Sequence, residues 1–145
     1  MKLTDQQILE IVDNLDSGMR CFYNKKTGEI KTIFNSDSCF GADEKLLEEE
    51  REEIEENWED YFEFERMSSR DSYEVMIDFA ETVDNPELQD KLVNSLRMAK
   101  PFKNFKWQVD NSGEYRQKWF DYQKMHYIEW VKEQIDNYKR SQTHE

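Results

Sequence analysis

Met19 to Phe34 reads MRCFYNKKTGEIKTIF, and the period of two in this stretch decides the fold class. Cys21 and Tyr23 alternate with Arg20 and Phe22, and after a short connection Ile30, Thr32 and Phe34 alternate with Glu29, Lys31 and Ile33. Successive side chains of a strand point to opposite faces, so the stretch is expected to form a β-hairpin with two differently surfaced sides. The connection Asn24-Lys25-Lys26-Thr27-Gly28 suits a type I turn closed by Gly28 in the left-handed region, where a Cβ would be strained. Two strands alone are marginal. Tyr61 to Arg66, YFEFER, alternates again, with Phe62 and Phe64 on one side and Glu63 and Glu65 on the other, which predicts a third antiparallel strand.

Outward from the hairpin the period changes to that of helices. Upstream, Thr4-Asp5-Gln6-Gln7 is a capping box, with Leu3 and Ile8 as a hydrophobic staple. The helix begins at Asp5, buries Ile8, Ile11, Val12 and Leu15 on one face, and ends at Gly18. Between the second and third strands, Asp43 to Asp60 reads as a glutamate-rich helix with a narrow stripe of Leu47, Ile54, Trp58 and Tyr61, most of it facing water. After Met67 the chain is expected to be helical. Ser68 or Ser69 caps a helix carrying Tyr73, Met76, Ile77, Phe79, Ala80 and Val83. Asn85 caps the next, with Pro86 at its first position and Leu88, Leu92, Leu96 and Ala99 along it. Pro101 pushes Lys100 out of helical geometry and opens a short helix bearing Phe102, Phe105, Lys106 and Val109. Asn111-Ser112-Gly113 breaks it, and a last helix from Glu114 to about Tyr138 carries Phe120, Tyr127, Val131, Ile135 and Tyr138 as a stripe flanked by Trp119 and Trp130.

The expectation is therefore an α+β domain: a small three-stranded antiparallel sheet covered on one face by helices, with a helical C-terminal half. Residues 1–145 read as a single domain, in which 1–67 hold the first helix, hairpin, acidic helix and third strand, 68–138 the helical part, and 139–145 a loose tail. Its length suits one core, and its 20 aromatics argue against disorder although 37% of residues are charged. The chain has a net charge of −13, but unevenly placed: residues 1–90 carry 26 acids and 9 bases, residues 91–145 carry 7 acids and 11 bases. Such a negative total disfavours nonspecific adsorption to nucleic acid or anionic membrane, although screening lets a local basic patch attract an anion.

The N-terminus lacks the apolar run of a signal peptide, no window approaches about 18 apolar residues, and Cys21 and Cys39 make no C-x-x-C pair, so a reduced cytoplasmic setting without membrane insertion is expected. Both thiols neighbour aromatics and read as buried free cysteines.

Several strings, in order, resemble the small bacterial proteins grouped as uncharacterised protein family 158. Asn24 to Ile30 (NKKTGEI) is similar to that family's hairpin turn, and Phe62 to Ser69 (FEFERMSS) to its strand leading into a serine-capped helix. Tyr73 to Phe79 resembles its Tyr-x-x-Met-x-x-Phe helix, Lys100 to Lys106 (KPFKNFK) its Phe-basic-x-Phe-Lys block, and Trp119-Phe120-Asp121-Tyr122 with Trp130-Val131 its aromatic C-terminal helix. The resemblance implies a bacterial origin and supports the fold; it supplies no activity, cofactor or site residues.

Searches for chemistry find little. His126 and His144 are the two histidines, and only His126, expected on the helix rim, is placed as an acid or base. No zinc arrangement can be assembled, and no G-x-S-x-G, P-loop or dinucleotide pattern occurs. Asp60, Glu63, Glu65 and Asp71 are weighed as oxygen ligands for magnesium or calcium, against ordinary exposed carboxylates. The acidic run Glu48 to Glu56 is weighed as a mimic of phosphates, against a solvated helix face.

The basic and aromatic block is the stronger signal. Lys103 and Lys106 share a face of the short helix, Phe102, Phe105 and Val109 take the other, and Arg70, Lys100 and Arg116 are candidates to join them in a surface for an anion or a partner. The bland alternative puts Phe102, Phe105, Trp119, Phe120 and Trp130 in the core and leaves the cations balancing acids. The sequence is read as a noncatalytic protein-binding or regulatory module that needs no cofactor or metal. Nucleic-acid or phosphate binding through Arg70, Lys100, Lys103, Lys106 and Arg116 is the alternative, and an enzyme of unknown reaction the third reading. Oligomeric state is not legible.

Overall fold

The hairpin forms as its alternation dictates. In the chain's computed structural model, which describes residues 1–33 and 42–143 and only the backbone of 42–47 and 143, β1 (Arg20–Asn24) pairs antiparallel with β2 (Ile30–Ile33), Tyr23 opposite Ile30. Phe34, Cys39, Phe40, His144 and the side chain of Leu47 lie outside the described residues. Asn24 Oδ1 accepts from the N–H groups of Lys26 and Thr27 at 2.9 and 3.1 Å, and Gly28 takes φ 77° to close the turn. The third strand, β3 (Tyr61–Phe64), joins the other side of β1, so the sheet order is β2-β1-β3.

The described chain divides into two compact units, residues 1–66 with 128–145, and residues 67–127. In the first, α1 (Asp5–Asp16) starts from the Thr4 and Gln7 capping box and buries Ile8, Ile11, Val12 and Leu15. It lies on the sheet face of Cys21 and Thr32: Asn14 Nδ2 donates to Thr32 Oγ1 at 3.2 Å, and the Cys21 thiol reaches the Ile11 carbonyl. Register places Phe64 and Phe62 on this same face, beside Cys21 and Tyr23, and the Phe62 ring meets Tyr138 with centroids 5.1 Å apart.

The opposite face is covered too, which corrects the expectation of one covered face. From α2 (Ala42–Glu56), Ile54 closes over Phe22, Ile33 and Tyr61 to form a second small cluster of buried residues. Helix α2 ends at Glu56 and a single 3-10 turn, Trp58–Asp60, leads into β3. Of the stripe read along this segment, Ile54 and Tyr61 enter the cluster, whereas Trp58 stands 68% exposed.

Beyond the end of β3 the sheet edge is closed by a side chain. Glu65 N–H donates to Gln134 Oε1 at 2.7 Å, while the Glu65 carbonyl accepts from Gln134 Nε2 at 3.0 Å and from Trp130 Nε1 at 2.9 Å. One carboxamide thus pairs both backbone groups as another strand would, at the place where an open edge invites association.

The second unit is helical. Its core joins Phe79 and Ala80 of α3 (Ser69–Thr82), Leu92 and Leu96 of α4 (Pro86–Arg97), Phe105 and Val109 of α5 (Pro101–Asp110), and Trp119. Caps sit where the sequence puts them: Ser68 with Asp71 begins α3, and Asn85 Oδ1 accepts from the N–H groups of Glu87 and Leu88 to begin α4. The final helix, α6 (Tyr115–Thr143), runs past Lys139, where a loose tail was expected.

Candidate functional site

Helix α5 shows which part of the basic and aromatic block is core and which is surface. A helix turns about 100° per residue, so Phe105 and Val109 fall on one side and both are fully buried; the Phe105 ring sits 5.0 Å from Trp119. Phe102, about 20° from Val109, borders the buried side, Trp107 lies opposite it, and Lys106 and Lys103 lie between the two. Phe102 is 37% and Trp107 62% exposed. The sequence reading placed Phe102 with the core and did not single out Trp107. The sign that would have found Trp107 is its spacing: it is four residues from Lys103 and one from Lys106, on the face already read as polar.

The five cations fare differently. Lys100, Lys103 and Lys106 are exposed and form no ion pair among the described residues. Arg70, in the first turn of α3, pairs with Glu74 at 3.7 Å. Arg116 at the start of α6 reaches Asp110 at 3.4 Å, which places it at the C-terminal end of α5. Lys103 and Lys106 of α5 and Lys100 at its cap therefore have no counter-ion among the described residues, while the two arginines pair with neighbours. Lys100 adopts φ 56° and ψ 58° as the residue before Pro101. It has left the right-handed region as expected, but into the left-handed one rather than the extended region a following proline favours.

Aromatics of α6 also divide. Trp119 is buried and Phe120 is 60% exposed, the reverse of the expected stripe. Phe120 does share a side of the helix with Val131 and Ile135, but those residues are buried in the first unit. At the N-terminal end of α6 the buried side is the one about 100° away, occupied by Trp119 against Phe79 and Phe105, and the Phe120 side is buried only from Tyr127 onward. A single stripe over 29 residues cannot serve both. Trp130 is half-buried, held by its bond to Glu65.

In the first unit a cleft of about 500 Å³ lies between the sheet and α2. Its floor is Phe22, Ile33 and Tyr61 and its rim includes Arg20, Glu63 and Trp58. Size alone makes it a candidate ligand site. Two of its rim charges, however, satisfy each other: Arg20 forks both Glu63 oxygens at 2.8 and 2.9 Å and lies 5.0 Å over the Phe22 ring. The Glu63 bond, with Glu55 adding its charge, holds the guanidinium more firmly protonated than usual. Among the described residues its lining holds no thiol or imidazole, its one hydroxyl is the Tyr61 phenol, and Cys21 faces the other side of the sheet.

The model of the Uncharacterised protein family (UPF0158) matches residues 4–143, from the first helix cap to the end of α6. The chain belongs to UPF0158. No curated protein and no solved structure matches it.

Several other titratable groups of this UPF0158 chain have structural partners. Among the described residues no three His, Cys, Asp or Glu side chains gather around a point where a metal could sit. The weighed carboxylates are dispersed: Asp60 meets Lys26 at 3.3 Å, Glu63 serves Arg20, and Asp71 caps α3. Glu53 of the acidic run accepts from Lys31 at 2.5 Å, which holds its carboxyl below the usual range. His126 is half-buried with its ring 4.5 Å from Tyr122. Burial pushes the Cys21 thiol up, which disfavours the reactive thiolate. Tyr115 donates to Asp84, lowering the carboxyl and raising the phenol to about 12.

Proposed function

We propose that this UPF0158 chain is a noncatalytic binding module of the bacterial cytoplasm that acts by contacting a protein partner through the exposed side of α5. The observation that carries the reading is the exposed arc of Phe102, Lys103, Lys106 and Trp107, in which large apolar side chains remain in water beside cations without counter-ions. Tryptophan and phenylalanine are enriched at the cores of protein interfaces, and tryptophan is among the residues that carry most of their binding energy. The buried free thiol of Cys21 fits a reducing compartment, and no helix among the described residues is long and apolar enough to cross a membrane.

Quantitative affinity purification from the native host tests this with the wild-type chain and Trp107→Ala. Proteins retained by the wild type and lost from the variant are expected. If every retained protein is indifferent to position 107, the assignment of this surface is wrong.

The unpaired state of Lys100, Lys103 and Lys106 favours a second reading, binding of phosphate anions or nucleic acid. It requires an affinity that falls with salt and drops again in Lys103→Glu plus Lys106→Glu; affinity for an oligonucleotide unchanged by the double substitution rules it out.

A further inference from the structure

Resting on the assignment of α5 as the contact side, we infer that the partner is a protein segment rich in carboxylates that flank an apolar recess for an indole. The order of side chains around α5 leads to this. Phe102, bordering the buried side, and Trp107, opposite it, stand about 140° apart around the helix axis, with Lys106 and Lys103 between them. Asp110 lies in the same arc, but Arg116 holds it at 3.4 Å, so the lysines keep their unpaired charge. A complementary surface places carboxylates against Lys103 and Lys106 and apolar walls against Trp107 and Phe102.

A nucleic acid fits less well. Its affinity grows with the number of phosphates neutralised, and along α5 only Lys103 and Lys106, with Lys100 at its cap, have no ion-pair partner among the described residues. The aromatics diverge around a helix rather than forming a platform for successive bases. A long polyanion would also meet the rest of a chain whose net charge is −13. The same total charge on every copy opposes association of this protein with itself, although α2 offers a complementary acidic helix. A short acidic segment meets the lysines without running along the acidic parts of the molecule.

The test places a benzophenone amino acid at position 110 of the full chain, in the same exposed arc but leaving Trp107 intact, in cells of the native host, irradiates, and sequences the cross-linked fragment. An acidic, apolar-bearing protein fragment is expected, with its yield reduced at least tenfold when Lys103→Glu and Lys106→Glu are added. Lysine placed at the matching partner acids should restore the yield. Circular dichroism confirms that the variants stay folded. A fragment of neutral or basic charge, or from a second copy, overturns this inference while leaving the binding-module reading standing. A nucleic-acid adduct, or no adduct, overturns both.

Discussion

Phe105→Ala and Trp107→Ala sit two residues apart on one helix and should have opposite consequences. Phe105 is fully buried, its ring packed edge-on against Trp119 at 5.0 Å. Truncating a buried phenylalanine removes its transfer free energy and leaves a cavity, typically about 3–5 kcal/mol, of which an aromatic pair contributes about 0.5–1.5 kcal/mol. Trp107 is 62% exposed, so roughly 90 Å² of a side chain of about 250 Å² is covered, worth at most about 2 kcal/mol. Alanine's better helix propensity returns about 0.5 kcal/mol, leaving a cost below about 1.5 kcal/mol. Urea unfolding followed by circular dichroism measures both, provided the slopes remain equal. The reasoning fails if Trp107→Ala costs as much as Phe105→Ala, because Trp107 would then be core and its exposure could not advertise a contact surface.

Further outcomes are specific to single contacts. Gln134→Ala, which strips both backbone partners supplied by its amide from Glu65, should cost about 1–2 kcal/mol and speed exchange of the Glu65 amide; unchanged exchange would show the edge is closed by something else. Lys100→Gly relieves a left-handed residue, whose strain is about 1–2 kcal/mol, against a flexibility cost of up to about 1 kcal/mol, so denaturation should show a small gain and not a loss. Tyr115 should titrate spectroscopically near about 12 and return toward about 10 in Asp84→Asn. The sign follows from linkage: the raised phenol contributes stability below pH about 10 that is lost as pH rises through its folded value, and the lowered Asp84 carboxyl contributes above pH about 4 and is lost on acidification. A Tyr115 titration unaffected by the substitution contradicts the bond.

What was legible in the sequence was local. The hairpin turn, the Thr4 and Ser68 caps, Asn85 before Pro86 and the core spacing of Leu92 and Leu96 each depend on a few neighbouring residues, and each forms as read. Less legible was what joins distant residues. Gln134 meets Glu65 across 69 positions, and no periodicity announces a side chain that closes a strand edge. Among the described residues, the second sheet face is covered by Ile54, an apolar residue in a run of glutamates. Phe120 and Trp119 exchanged roles because one stripe was drawn along a helix whose two parts bury different sides. For the candidate surface, composition identified the lysines, but whether a cation is already paired depends on partners such as Glu74 and Asp110 that spacing does not fix.

Hydroxyl-radical footprinting of tryptophan oxidation, comparing the pure chain with the chain inside its native host, tests the central claim most directly. Trp107 and Trp58 are both well exposed in the isolated protein, at 62% and 68%, so each is an internal reference for the other. The account predicts that oxidation of Trp107 falls severalfold in cells while that of Trp58 is unchanged. Equal oxidation of Trp107 in both settings, or protection confined to Trp58, would contradict it.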